Sequence, residues 1–246
     1  GFEIDSFHWD AQKNREQNAQ LKTAGKVERM TGVDIRSKKN TVADKVDMSR
    51  IDIPVNQIKK IPALMGEKDV LKVIQLMPGV QTGGEGQSGI YVRGGGPDQN
   101  LMILDEAIVY NASHLFGFFS VFNGDALKSV ELVKGGFPAR YGGRLSSVVD
   151  LTMKEGNNQR DTGEIGVGSI ASRFTLEGPI KKGKSSFMIS GRRTYLDLLI
   201  QPFVYAASGN NLGYYFYDFN AKANHKFSDK DKLFFSGYFG KDNFYT

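Results

Sequence analysis

Three arginines are the residues best suited to chemistry. Arg93, Arg140 and Arg144 each stand beside glycines, in Arg93-Gly94, Arg140-Tyr141-Gly142 and Gly143-Arg144. Glycine lets the backbone approach a neighbour closely and leaves the guanidinium prominent, and that planar fork suits bidentate contacts with carboxylates. A solvated surface arginine carries the same signature, so the residues alone leave both readings open. Other candidates are weaker. Gly84-Glu85-Gly86-Gln87-Ser88-Gly89 fits the letters of a dinucleotide fingerprint. That motif needs a strand before it and a helix after it, and here the order is reversed, so a glycine loop is expected. His8, His114 and His225 are far apart and no pair has metal-ligand spacing. Asp105-Glu106 is a carboxylate pair, but adjacent strand residues point to opposite faces, which suits a turn or an ion pair better than shared acid–base work. No catalytic residue, metal site or cofactor is expected, and the chain does not read as an enzyme.

The elements that position these residues fall into two textures. Residues 1–50 are polar, with charge pairs, and are expected to form an arm. Prolines punctuate Ile51–Pro62. In Glu67–Met77, the apolar residues Val70, Leu71, Ile74 and Met77 mark a helix, which Pro78-Gly79 stops. Short strands are expected at Ile90–Arg93, at Asn100–Val109 interrupted by Asp105-Glu106, at Ser129–Lys134 and at Ser147–Lys154. A single helical turn is expected at Asn123–Lys128. From about Asp161 the pattern changes to hairpins. Strands are predicted at Glu164–Gly168, Ala171–Gly178, Ser185–Leu196, Tyr214–Phe227 and Leu233–Tyr245, with a longer polar loop near Gln201–Gly213. Tyr215, Tyr217, Phe219, Ala221 and Ala223 alternate with Asp218, Asn220, Lys222 and Asn224, the clearest period-2 signal in the chain. Short turns on one side, a long loop on the other and long strands with one apolar face suit a transmembrane β-barrel, although a soluble antiparallel sheet alternates in the same way. Arg193 shares parity with Phe187 and Ile189. On a lipid face it would cost about 2–4 kcal/mol at mid-membrane, so it is expected near a rim or a bulge.

Composition agrees. The chain has 246 residues, of which 29 are Gly, 17 Phe and 10 Tyr, a mixture that favours turn-dense sheet over helix bundles. The net charge of +5 is spread among carboxylates rather than massed, so no nucleic-acid partner is expected. Cysteine is absent, which excludes disulfides and thiolate metal sites. Neither a run long enough for a spanning helix nor a signal peptide is seen, and the chain stops within an aromatic strand-like run.

Several motifs in order carry a resemblance. Asp69–Val80, Tyr91-Val92-Arg93-Gly94, Leu104-Asp105-Glu106 and Val130–Gly135 are followed by Ala139-Arg140-Tyr141-Gly142 and Ser146–Asp150. The series resembles the plug of TonB-dependent outer-membrane receptors, and the region after Asp161 is similar to the first strands of the receptor barrel. Gly94–Asn100 together with Asn111–Gly117 looks like receptors of the Bacteroidota, while Leu104–Val109 differs from the glycan-importing branch. The resemblance implies an α+β plug domain (51–160) after an N-terminal arm (1–50), then antiparallel strands of an incomplete transmembrane β-barrel (161–246). It implies active uptake of a ligand across the bacterial outer membrane, with the plug in the barrel lumen, the arm in the periplasm and no cofactor. Expected partners are the energised TonB protein, outer-membrane lipid, the imported ligand and a surface lipoprotein. Ligand-facing plug residues would be Gly84, Gln87, Gly95, Asp98, Asn100, Asn111, His114 and Phe116. Arg93 and Arg140 match family arginines that pair with barrel glutamates, with Arg144 and Glu131 grouped beside them, and TonB would contact Phe2, Ile4 and Phe7. The competing reading is a soluble ligand-binding α+β module without transport.

Overall fold

A computed structural model describes residues 49–55, 58, 61, 67–84 and 87–246; the arm, including Phe2, Ile4 and Phe7, lies outside the described residues. The first half is a globular domain built on a five-stranded sheet. Its strands are β1 (Arg50–Ile53), β4 (Asn100–Leu104), β5 (Ala107–Ile108), β8 (Leu127–Val133) and β9 (Ser147–Met153), in the order β1-β8-β9-β4-β5. Only the β4–β9 pair is parallel. Against this sheet pack α1 (Val70–Gln75) and a hairpin of β2 (Val80–Thr82) with β3 (Ile90–Val92), and a second hairpin pairs β6 (Ser113–His114) with β7 (Phe119–Ser120).

The expected helix is real but shorter than its apolar spacing suggested. Asp69 caps it, its carboxylate accepting from the amides of Leu71 and Lys72, so Glu67 and Lys68 stand outside the helix. Val70, Leu71, Val73 and Ile74 pack with Val130, Leu132, Val149 and Leu151 in the main core. Leu101, Ile103, Val133, Tyr141 and Val148 form a smaller cluster; Leu101 and Ile103 have opposite strand parity to Met102 and Leu104 of the main core, and so face the other way. Asn123–Ala126 forms a turn, closed by the Ala126 amide on the Asn123 carbonyl at 3.0 Å, rather than a helical turn. Asp105 and Glu106 form the β4–β5 turn, with φ of 47° and 70°, the left-handed geometry of a tight hairpin.

The second half is a consecutive antiparallel meander, here called the wall. It comprises β10 (Thr162–Val167), β11 (Ala171–Lys181), β12 (Ser185–Thr194), β13 (Gly213–Lys226) and β14 (Lys232–Tyr245). All five expected strands are present, displaced by a few residues at their ends. The sheet is not closed, because β10 and β14 are both edges. One expectation fails: residues 201–213 are not a loop throughout. An α-helix, α2 (Leu196–Ser208), joins β12 to β13 and carries Pro202 inside it. An internal proline removes a helical hydrogen bond at a cost of about 3 kcal/mol, and the polar, glycine-containing stretch Gln201–Gly213 reads locally as a loop. Burial of Leu196 and Asp197 anchors its first turn, and Gly209 at φ 68° ends it.

Burial along the wall is the reverse of that in a soluble sheet. On β13 the residues facing the globular domain are Phe216, Asp218, Asn220, Lys222 and Asn224, and all are buried. The alternate residues Tyr215, Tyr217 and Phe219 point away and stay partly or fully exposed. Ile165, Val167, Phe174, Leu176, Phe235 and Phe239 extend this exposed apolar face across β10, β11 and β14. Tyr238 and Phe234, which seemed to break the alternation, sit on the inner face. The Tyr238 hydroxyl donates to Asp218 at 2.9 Å and its ring packs against the main core, while Phe234 lies under Lys222 and Lys232.

Candidate functional site

The seam between domain and wall begins at two adjacent residues of β12. Because strand side chains alternate, Arg192 faces the domain and Arg193 faces away. The Arg192 side chain is wholly buried. Its Nε donates to Asp218 at 2.9 Å, Nη1 to Glu67 at 3.2 Å and Nη2 to the Ser120 carbonyl at 2.7 Å. A buried charge must be paired and hydrogen-bonded to be tolerated, and this guanidinium is both. Arg193 is more than half exposed, lies over the Tyr215 ring and approaches Asp197, which places it at the α2 end of the wall.

Around Arg192 the polar contacts continue. Arg173 of β11 reaches Asp125 and stands 3.6 Å from Glu67. Lys68 meets Asp125 at 3.3 Å. Asp69 caps α1 with one carboxylate oxygen and accepts the Ser120 amide at 2.7 Å with the other, so Ser120 joins the helix cap to the wall arginine. Asn123 donates to Ser190 at 2.7 Å.

At the other end Lys222 bonds Asp105 at 3.0 Å and the Met153 carbonyl at 3.1 Å, which makes Asp105 both a turn residue and an ion-pair residue. Ser186 and Asn224 both donate to the Glu155 carbonyl at 2.7 Å. The Glu155 side chain pairs with Lys232 and, at 3.1 Å, with Lys128, and the Lys232 contact leads in holding its carboxyl below the ordinary range, against an opposing push from partial burial.

The loops cluster at the α2 end of the wall, where the Leu115 amide donates to the Tyr214 hydroxyl at 2.8 Å and Phe119 packs with Leu196. Leu115, Phe116 and Gly117 have φ of 49°, 52° and 99° in succession. A non-glycine residue in that region costs about 1–3 kcal/mol, and this turn presents Phe116 to solvent at 87% exposure. Beside it a cleft of about 280 Å³ is bordered by Asp98, Asn100, Tyr110, Asn111 and Arg144.

The expected ligand-facing residues therefore divide. Asp98, Asn111 and Phe116 are accessible at this end. Gly84 and Gln87 are exposed, and the Gln87 carbonyl accepts from Lys72 and Gln75 of α1. Gly95 is packed so closely on Ser146 that a Cβ would lie 2.3 Å from its hydroxyl. Asn100 is buried, its amide donating to the Ile90 carbonyl at 2.8 Å and its oxygen accepting from Ser147 at 2.7 Å. His114 is 3% exposed and turns inward to Asp218 and Asp242. His114 thus holds the loops, and Asn100, although it borders the cleft, spends its side chain on loop hydrogen bonds.

Among the described residues, the arginines singled out in the sequence have their contacts inside the globular domain. Arg93 reaches Ser49, Arg140 bonds the Tyr141 hydroxyl at 2.6 Å, Arg144 bonds the Gly143 carbonyl, and Glu131 pairs with Arg50 of β1. Burial, with the nearby Asp150 second, raises the Tyr141 hydroxyl above its usual value. Domain–wall ion pairs are made instead by Glu67, Asp125 and Asp105 with Arg173, Arg192 and Lys222, and by Glu155 with Lys232; of these the sequence reading singled out only Asp105, as a turn or ion-pair residue. A signal for them existed, since Arg192 shares parity with Ser186, Ser190 and Thr194 and Lys222 with Asp218 and Asn224. Among the described residues no group of three or more His, Asp or Glu could hold a metal ion.

Comparison with known proteins places this geometry. Residues 45–149 match the TonB-dependent receptor plug domain family. No curated protein matches the chain. Among solved structures, the siderophore receptor PirA of Pseudomonas aeruginosa aligns at a TM-score of 0.57 and 20% identity, over 80% of this chain and 36% of that one. The ferric enterobactin receptor PfeA of the same organism aligns at 0.58 and 19%, over 80% and 33%. The FrpB iron transporter of Neisseria meningitidis aligns at 0.53 and 16%, over 80% and 32%. The chain spans about a third of the length of these structures. The fold is thus a plug domain followed by antiparallel strands, as in the N-terminal part of such receptors.

Proposed function

We propose that this chain is the plug and opening barrel strands of a TonB-dependent outer-membrane receptor, and that the whole protein takes up a ligand actively across the bacterial outer membrane. The observation that carries the reading is the inverted wall, with Asp218, Asn220, Lys222 and Asn224 buried against the plug while Phe219, Ile165, Val167 and Phe235 point outward. Such a face is unfavourable in water and favourable in lipid, where strands of a barrel alternate apolar-out and polar-in. A soluble ligand-binding module would bury the opposite faces, so that alternative is not favoured.

The mechanism follows from the contacts. Ligand settles at the α2 end, over the cleft bordered by Asp98, Asn111 and Arg144 and the exposed Phe116. TonB, energised in the inner membrane, engages the arm around Phe2, Ile4 and Phe7 in the periplasm and pulls on β1, an edge strand of the plug sheet. Partly exposed pairs such as Glu155–Lys232 are individually worth about 1 kcal/mol or less and separate readily. The buried Arg192 network does not, and it holds the plug until force arrives. Arg93, Arg140 and Arg144, with Glu131 beside them, provide further plug–barrel contacts to strands beyond β14. A surface lipoprotein covers the ligand side in the Bacteroidota-type version of this receptor, outer-membrane lipid surrounds the wall, and no cofactor or enzymatic step is involved.

Comparing solute depletion from a complex growth medium by cells with and without the full-length receptor, each in TonB-containing and TonB-lacking backgrounds, tests this. A solute should disappear only where both proteins are present. A receptor folded in the outer membrane that depletes nothing in a TonB-dependent way would overturn the proposal.

A further inference from the structure

We infer that His114 is a protonation latch, an imidazolium clamped between two wall aspartates that locks the ligand-side loop to the wall and releases it when the proton leaves. Nε2 lies 2.7 Å from Asp218 Oδ1, and Nδ1 lies 3.0 Å from both oxygens of Asp242. A neutral imidazole has one N–H and one acceptor nitrogen, so in the neutral ring one nitrogen would set its lone pair against a carboxylate. Only the imidazolium donates on both sides. The ring also stacks on Phe216, with centroids 4.2 Å apart and planes 10° from parallel, which leaves its two edges for the aspartates.

The surroundings favour placing the proton on the histidine. Tyr238 donates to Asp218 and Tyr214 donates to Asp242, so both carboxylates receive hydrogen bonds without carrying a proton themselves. Facing the site from β12 is Arg192, shared by Asp218 and Glu67. Beyond Glu67, Arg173 and Lys68 offset Asp125 and Glu164. Of the two carboxylates that meet the ring, only Asp218 also touches a cation among the described residues, Arg192, and a charged His114 pairs with both. Asp242 is 41% exposed, which gives the proton a route to solvent. The latch is at the root of the strained turn: Leu115, Phe116 and Gly117 follow directly with positive φ. Their conformation is held by the Tyr214 hydroxyl, which itself bonds Asp242.

The chain has no cysteine, so a spin label on a Phe116→Cys variant of the full-length receptor in detergent, with any cysteines elsewhere replaced, reports the loop. Its mobility is followed from about pH 5 to about pH 9, a range that brackets histidine titration. The expected result is one transition, from an immobile label at low pH to a mobile one at high pH. His114→Gln should give a mobile label throughout with no transition. Asp242→Asn, at a half-exposed position, should weaken the immobilisation at low pH, because one of the two carboxylates that receive the ring's N–H groups is gone. A transition that persists in His114→Gln overturns the latch, as does undiminished low-pH immobilisation in Asp242→Asn or an unchanging label in the parent.

Discussion

Replacing Arg192 with methionine removes the guanidinium while keeping most of its stem volume. Breaking a buried pair by deleting one partner costs about 3–5 kcal/mol, because the remaining charge is left uncompensated. Here two carboxylates lose a donor, but neither is stranded. Asp218 retains His114 at 2.7 Å and Tyr238 at 2.9 Å, and Glu67 retains Arg173 at 3.6 Å. The lower end of the range, about 3 kcal/mol, is therefore expected, and at about 1.4 kcal/mol per tenfold this opens the seam roughly 100 times more often. Hydrogen exchange in the full-length receptor reads that opening directly. The Ser120 amide donates to Asp69, and the Ser120 carbonyl accepts from Arg192, so this amide should exchange about 100-fold faster in Arg192→Met. The neighbouring Arg193→Met, changed on the outward face, should leave it within ~0.5 kcal/mol of the parent. Exchange at Ser120 within about threefold of the parent in Arg192→Met would refute the reasoning. An equal effect from Arg193→Met would refute it too.

Four other outcomes are expected. Phe219→Arg, near the middle of the exposed face of β13, should cost about 2–4 kcal/mol of insertion stability, measured by denaturant unfolding in lipid, whereas a soluble sheet would tolerate the change. Gly156→Ala should destabilise far more than Gly183→Ala in thermal unfolding. Both glycines have positive φ, worth about 1–2 kcal/mol, but only at Gly156 would a Cβ meet backbone, 2.1 Å from the Phe187 carbonyl oxygen. Arg93→Ala combined with Arg140→Ala should loosen plug seating in the full-length receptor, read as increased antibiotic leak; unchanged leak counts against the proposed pairing. Because the Glu155 carboxyl is held below its ordinary value, its ion pairs stabilise the link above the ordinary carboxylate pKa and are lost as pH falls through the lowered one. Glu155→Gln should flatten that acid limb of the pH–stability curve by less than about 1 kcal/mol.

The sequence by itself determined the periodic parts. Alternation over Tyr215–Asn224 fixed a strand and its two faces, because successive strand side chains must point to opposite sides. Parity alone also required one of Arg192 and Arg193 to face inward. The helix at Val70–Gln75, the stop at Pro78-Gly79 and the Asp105-Glu106 turn are likewise local, set by spacing, capping and turn geometry. Helix α2 was hidden because the polar, glycine-containing stretch Gln201–Gly213 reads locally as a loop, and only the anchoring of Leu196 against Phe119 and Phe216 reveals why it forms there. The partners of the charged residues were decided by tertiary structure. Arg192 meets Glu67 across 125 positions and His114 meets Asp242 across 128, and no local pattern specifies which acid a distant base will find. Sequence distributes charge along a face; the docking of plug against wall decides which of those charges lose their water, and therefore which must be paired.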